Sequence, residues 1–263
     1  MRRYLPVIVI ALICTLLGAA IATVVLVSLP SPGTPPAIYD TFAWNSTRDG
    51  FWHVHAYGAS TVVDNSRLTL EGNSIELDRL LQTDPKTTIV VARVRGVSFH
   101  KFAIGIGSYH NGTITTEFDN DGAKCGWGSG QGWQVAFIKG WAVPPVGKWF
   151  YVEVRVVNPY PGWTPQQLST LNSQTEKAPV ITCALFDSSG KLIGAVTPTA
   201  PAFGLSNAHY VALDEAFMRT WDSQNDYQID WFYAGPPSGL PMHLVLPKAP
   251  PAQAPAGIAE ASP

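Results

Sequence analysis

Charge is scarce in this chain, and so are cysteine and helical periodicity. Of 263 residues only 14% are charged, 17 Lys and Arg against 19 Asp and Glu. A net charge of −2 excludes the basic footprint of a nucleic-acid partner. Three cysteines and six histidines carry no zinc or haem spacing. No Gly-x-Ser-x-Gly elbow marks an esterase-like nucleophile, and no Cys/His dyad has a signature. The glycine-rich run Gly126 to Gly132 lacks the Lys-Ser/Thr of a phosphate loop. Helical periodicity beyond the N-terminus is confined to Thr164–Glu176, where Pro165 suits a first helical position.

What is abundant is apolar and aromatic. Leu5 to Leu29 contains no charged side chain. About 25 residues at ~1.5 Å each suffice to cross a ~30 Å hydrocarbon core with some tilt. Arg2 and Arg3 precede the run and no Lys or Arg follows until Arg48. The positive-inside bias therefore predicts residues 1–4 in the cytoplasm, a single-pass anchor over 5–29 in the cell membrane, and an extracytoplasmic remainder. The competing reading is a signal peptide cleaved near Ala19-Ala20-Ile21-Ala22, but apolar residues continue to Val27. Pro30 to Ala37 reads as a stiff spacer.

From Ile38 the pattern turns to strands. Phe51–Tyr57, Arg67–Gly72, Ser74–Asp78, Thr87–Arg95, Lys101–Gly107, Ile114–Phe118 and Trp133–Ile138 alternate or run β-branched and aromatic. Trp149–Val157 is the clearest of them. Val180–Phe186 and Lys191–Val196 flank the turn Asp187-Ser188-Ser189-Gly190 as a hairpin. His209–Asp214 and Gln228–Tyr233 complete the series. More than ten short strands with regular turn signals predict an all-β, two-sheet sandwich over 38–235. Residues 236–263, rich in Pro and Ala, read as a tail with little to bury. With 9 Trp, 9 Tyr and 11 Phe, the domain has material for aromatic contact surfaces.

The opening Tyr39-Asp40-Thr41-Phe42, Trp52, the Arg67–Leu70 strand, Trp149–Val154, the hairpin at Asp187–Gly190 and the closing Ile229-Asp230-Trp231-Phe232-Tyr233 together resemble the concanavalin A-like lectin/glucanase superfamily. That resemblance implies a β-jelly-roll of two curved sheets, and does not choose among the lectins, laminin-G-like modules and glucanases that share it.

Glu117-Phe118-Asp119-Asn120-Asp121-Gly122 is the sharpest chemical candidate. Strand alternation puts Glu117, Asp119 and Asp121 on one face. Laminarinase-like members carry Glu-x-Asp-x-Glu, which implies Glu117 as nucleophile and Asp121 standing where the acid/base Glu belongs. Asp is a methylene shorter, and Asp121-Gly122 reads as a turn leaving the strand, so retaining chemistry is poorly served. Asp119, Asn120 and Asp121 also supply hard oxygen ligands for Ca²⁺, without EF-hand spacing; a plain solvated turn is the simpler reading. The Gly126–Gly132 run predicts a mobile loop that carries Trp127. With Trp133, Trp141 and Trp163 it offers a sugar-stacking platform, a protein contact, or a lid over the chain's own sandwich. His53 and His55 share a strand face as a packed or surface pair, with a metal pair as the sharper alternative. Cys125 and Cys183 read as a disulfide or as two buried thiols. Asn45 and Asn111 head glycosylation sequons. The expected role is recognition of a glycan or cell-envelope component from a membrane tether. The alternatives are a subunit capping a membrane complex, with partner helices against the anchor, and a laminarinase-like hydrolase.

Overall fold

A computed structural model describes residues 37–81, 86–98, 101–108, 112–119, 121–129, 132–138, 144–161, 167, 170, 179–198, 215–221 and 225–240. The expected anchor 5–29, Cys14, Asn111, Asn120, Trp141, Trp163, the strand His209–Asp214 and the tail beyond Leu240 lie outside the described residues. The chain divides into two units, Met1–Thr34 and Pro35–Pro263, and the described residues belong to the second. Among them no helix is long and apolar enough to cross a membrane.

The architecture is all-β. Its strands are β1 (Ile38–Asp40), β2 (His53–Asp64), β3 (Arg67–Leu80), β4 (Thr87–Ser98), β5 (Lys101–Ser108), β6 (Gly112–Asp119), β7 (Gly122–Ser129), β8 (Gly132–Phe137), β9 (Phe150–Val157), β10 (Val180–Asp187), β11 (Leu192–Val196), β12 (Glu215–Trp221) and β13 (Asn225–Gly235). All described pairings are antiparallel. The hydrogen-bonded path runs β11-β10-β9-β4-β13-β3-β12-β5-β6-β7-β8, with β1 on β13 and β2 on β3.

That continuous path folds into two layers at β3. Its first half, Leu68–Gly72, pairs with Ile229–Asn225 of β13; its second half, Ile75–Leu80, pairs with Thr220–Glu215 of β12. The two runs Arg67–Gly72 and Ser74–Asp78 are thus one strand that leaves the back sheet and enters the front sheet. The corner needs glycine. Gly72 has φ +102°, and a Cβ on it would stand 2.7 Å from Gly58 O and 2.8 Å from the Ala59 Cα of the flanking β2. A strand that changes sheets at a bend is one way a sandwich closes its corner.

Alternation then fills the space between the layers. From the back sheet come Leu68, Leu70, Val90, Ala92, Val94, Val152, Val154 and Ile229; from the front come Ile75, Leu77, Ile104, Ile106, Ile114 and Met218, all buried. Phe118 of the front sheet meets Phe150 of the back edge-on at 5.3 Å, and Phe102 lies 4.9 Å from Tyr227. A disulfide joins Cys125 of β7 to Cys183 of β10, with Cα atoms 5.4 Å apart, so the sheets are also linked covalently. At the domain's start the buried Asp40 carboxylate accepts the Phe42 N–H at 2.7 Å and the Trp52 indole N–H at 2.8 Å. This satisfies a charge that the core otherwise disfavours.

Candidate functional site

The outer face of the front sheet gathers most of the chain's chemistry. Residues opposed across neighbouring strands share a face. One row runs His55, Glu76, Arg219, Ala103, Glu117, Lys124, Phe137 from β2 to β8. The next runs His53, Asp78, Phe217, Gly105, Thr115, Gly126, Val135. The middle of the face is small, and rings from either side lie over it. A Cβ on Gly105 would meet the Phe217 ring at 2.6 Å, and one on Gly126 would collide with the Trp133 indole. The glycines let both rings lie flat on the sheet. Trp133 keeps 43% of its surface exposed and Phe137 39%, side by side with Val135 on the edge strand β8.

This arrangement corrects the loop expected at Gly126–Gly132. Most of that run is β7 and β8, and Trp127, 5% exposed, turns into the core rather than toward a ligand. Alternation decides it: Ala123 and Cys125 point inward, so Trp127 does as well. Trp133 is the indole of this stretch that reaches solvent.

Glu117 and Asp119 share the outer face as expected, and Asp121 does not. Asp119 pairs with Gly122, and Asp121, in the turn beyond the strand end, is exposed. Both Asp119 oxygens are engaged, Oδ1 accepting the Asp121 N–H at 2.8 Å and Oδ2 the Lys124 ammonium at 2.7 Å. Lys124 Nζ also sits 5.3 Å from the Phe137 ring centroid. Among the described residues no three His, Cys, Asp or Glu side chains converge as a metal site. Glu117 is held differently from Asp119. Burial pushes its carboxyl above the ordinary range and Asp119 adds to the rise, against the opposing pull of Lys124, Arg219 and Lys101. One face thus carries an ion-paired carboxylate and, two residues away, a carboxyl biased toward its protonated form.

Strand β12 was not legible as a strand, although Phe217, Arg219 and Trp221 alternate with Ala216, Met218 and Thr220. Its Arg219 guanidinium lies 5.0 Å from the Phe217 ring and 4.9 Å from the Trp221 ring, with Glu76 at 3.7 Å. Burial raises Glu76 as well, with Arg219 pulling the other way. His53 and His55 both grip one buried carboxylate: His53 Nδ1 is 3.2 Å from Asp78 Oδ2, and His55 Nε2 is 3.0 Å from Oδ1. Asn45 is exposed, its side chain accepting from Thr47 Oγ1 at 3.1 Å.

Fold and face together define a class: a jelly-roll sandwich with an aromatic and carboxyl-lined outer sheet. No protein-family model matches this chain, and no curated protein matches it. Solved structures with a similar chain path include the CBM2 module of the evolved Dit of Lactobacillus casei BL23 phage J-1, at 11% identity and TM-score 0.46, covering 76% of this chain and 96% of that one. A β-1,3-glucanase from Mycobacterium marinum is similar at 11% identity and TM-score 0.45, over 77% of this chain and all (100%) of that one. The Bacillus licheniformis β-glucanase is similar at 9% identity and TM-score 0.45, over 79% of this chain and 100% of that one. At such identities the likeness is one of chain path and carries no residue role across.

Proposed function

We propose that this protein is a recognition module, held outside the membrane by residues 5–29, that binds a glycan of the cell envelope on the outer face of its front sheet. The observation that supports this is the exposed ridge Trp133, Val135 and Phe137 along β8, with Lys124 and Glu117 in line with Phe137 across β7 and β6. Sugar rings present C–H faces that stack on aromatics and hydroxyls that need both donors and acceptors, and this face offers all three within a few strands. The inter-sheet disulfide suits an oxidising compartment and so supports the outward placement of the domain.

The test is binding of the full chain, in mild detergent, to an array of envelope and β-linked glycans. Trp133→Ala abolishing that binding, with Trp127→Phe leaving it intact, supports the reading. Full binding by Trp133→Ala refutes it. A second reading, hydrolysis, is favoured by one observation: Glu117 and Asp119 share the outer face of β6, as the first two carboxyls of a Glu-x-Asp-x-Glu pattern would. Release of reducing ends from a β-glucan, lost in Glu117→Gln, would select it over binding alone.

A further inference from the structure

The outer face of the back sheet has a basic corner that the front-face reading does not use. Arg67, Arg93, Arg95 and Gln228 face outward there, because their neighbours Leu68, Val94 and Ile229 are in the core. Arg95 and Gln228 are opposed across β4 and β13. Trp149, half-buried, enters β9 beside them, its ring 5.0 Å from the Arg93 guanidinium and 5.5 Å from that of Arg67. Exposed Lys148 precedes it, and its loop is tied to β4 by the Gly147 N–H donating to Gly96 O at 2.8 Å. Four carboxylates stand near these groups, two of them Asp226 and Glu71, opposed to each other across β13 and β3 two residues beyond Gln228 and Thr69. Asp230, at the bulge between Ile229 and Trp231, pairs with Arg93 at 2.5 Å, and Asp64 is opposed to Arg67. Arg95 has no ion-pair partner among the described residues. Its Nε, the Nε of Arg93 and the Gln228 Oε1 are all buried without a hydrogen-bond partner. Buried donors left unmade are rare and call for an acceptor.

We propose that this corner is a second binding site, for the carboxylate of an acidic sugar. Arg93 and Arg95 are alternate residues of one strand, about 7 Å apart at Cα, so a single oxyanion can lie between their two forks. The Trp149 indole supplies an apolar surface immediately beside that anion. A pyranose ring bearing a carboxylate uses both features; a bare inorganic anion uses only the forks. The site lies on the opposite sheet from Trp133, so it goes beyond the front-face reading and stands or falls separately.

The experiment is calorimetric titration of the full chain with trigalacturonate, its methyl ester and inorganic phosphate, at low and high salt. Trigalacturonate binds, and more weakly as salt rises. The methyl ester and phosphate bind at least tenfold more weakly. Arg95→Gln costs tenfold or more, and Arg95→Lys, which keeps the charge but not the fork, weakens binding severalfold. Trp133→Ala leaves it unchanged. Equal affinity in Arg95→Gln, or in Arg95→Lys should the glutamine variant not fold, overturns the proposal. So does loss in Trp133→Ala, which would return the ligand to the front face, or equal affinity for phosphate or the ester.

Discussion

Cutting the covalent link between the sheets should be the most disruptive two-atom change in the domain. Cys125 and Cys183 are 58 residues apart, and closing a loop of that length removes unfolded-state entropy worth roughly 4 kcal/mol at 25 °C in the chain-entropy account. Both side chains are fully buried, so replacing both by Ala also empties two sulfur sites in the core, about 1–2 kcal/mol more. In a domain of this size each kcal/mol shifts Tm by about 2–4 °C. The double alanine variant is therefore expected to melt some 10–20 °C below the parent in near-ultraviolet circular dichroism. Its denaturant midpoint should fall as well. Function should follow, because Cys125 pairs with Ala136 and so anchors the edge strand that carries Trp133 and Phe137. On the proposed reading, glycan affinity should drop at temperatures where the rest of the domain is still folded. A variant that melts within about 3 °C of the parent would refute the reasoning, since neither the entropy nor the packing contribution could then be present.

Two further substitutions test single side chains. Asp40→Ala strands the Trp52 indole N–H and the Phe42 N–H in the core, which should cost about 2–5 kcal/mol in denaturant unfolding, while Asp40→Asn keeps an acceptor and costs less; equal losses would show that the acceptor is not the cause. Glu117 tests the sign of a titration: its folded-state value is raised above the ordinary 4.5, so the stability tied to its protonated form is complete below that pH and is lost as pH rises through the raised value. Glu117→Gln should therefore raise Tm at pH 7 and leave it unchanged near pH 4, and an equal gain at both would contradict burial as the cause.

Much of the fold could be read from the chain because strand alternation is written locally. Trp149–Val157 and the hairpin around Asp187–Gly190 appear almost as read, since each residue's side of the sheet follows from its neighbours. The same rule was available at Gly122–Ser129 and Glu215–Trp221. Glycine content masked the first, because glycine usually weakens a strand; here its absence of a side chain makes room for a ring that arrives from another strand. The second lay beyond the expected strand His209–Asp214, and with it went Phe217 and Arg219, two central members of the front face.

By itself the sequence determined most of the strands and which of their faces is apolar, along with the carboxylates Glu117 and Asp119 on β6. Only the tertiary structure decided which strands stand side by side. It turned Trp127 inward and Trp133 outward, ran β3 through both sheets at Gly72, joined Cys125 to Cys183, and set Arg95 beside Gln228. The reason is that alternation has a period of two and needs only adjacent residues. Pairing joins positions more than a hundred residues apart, and is settled by packing that no local window contains.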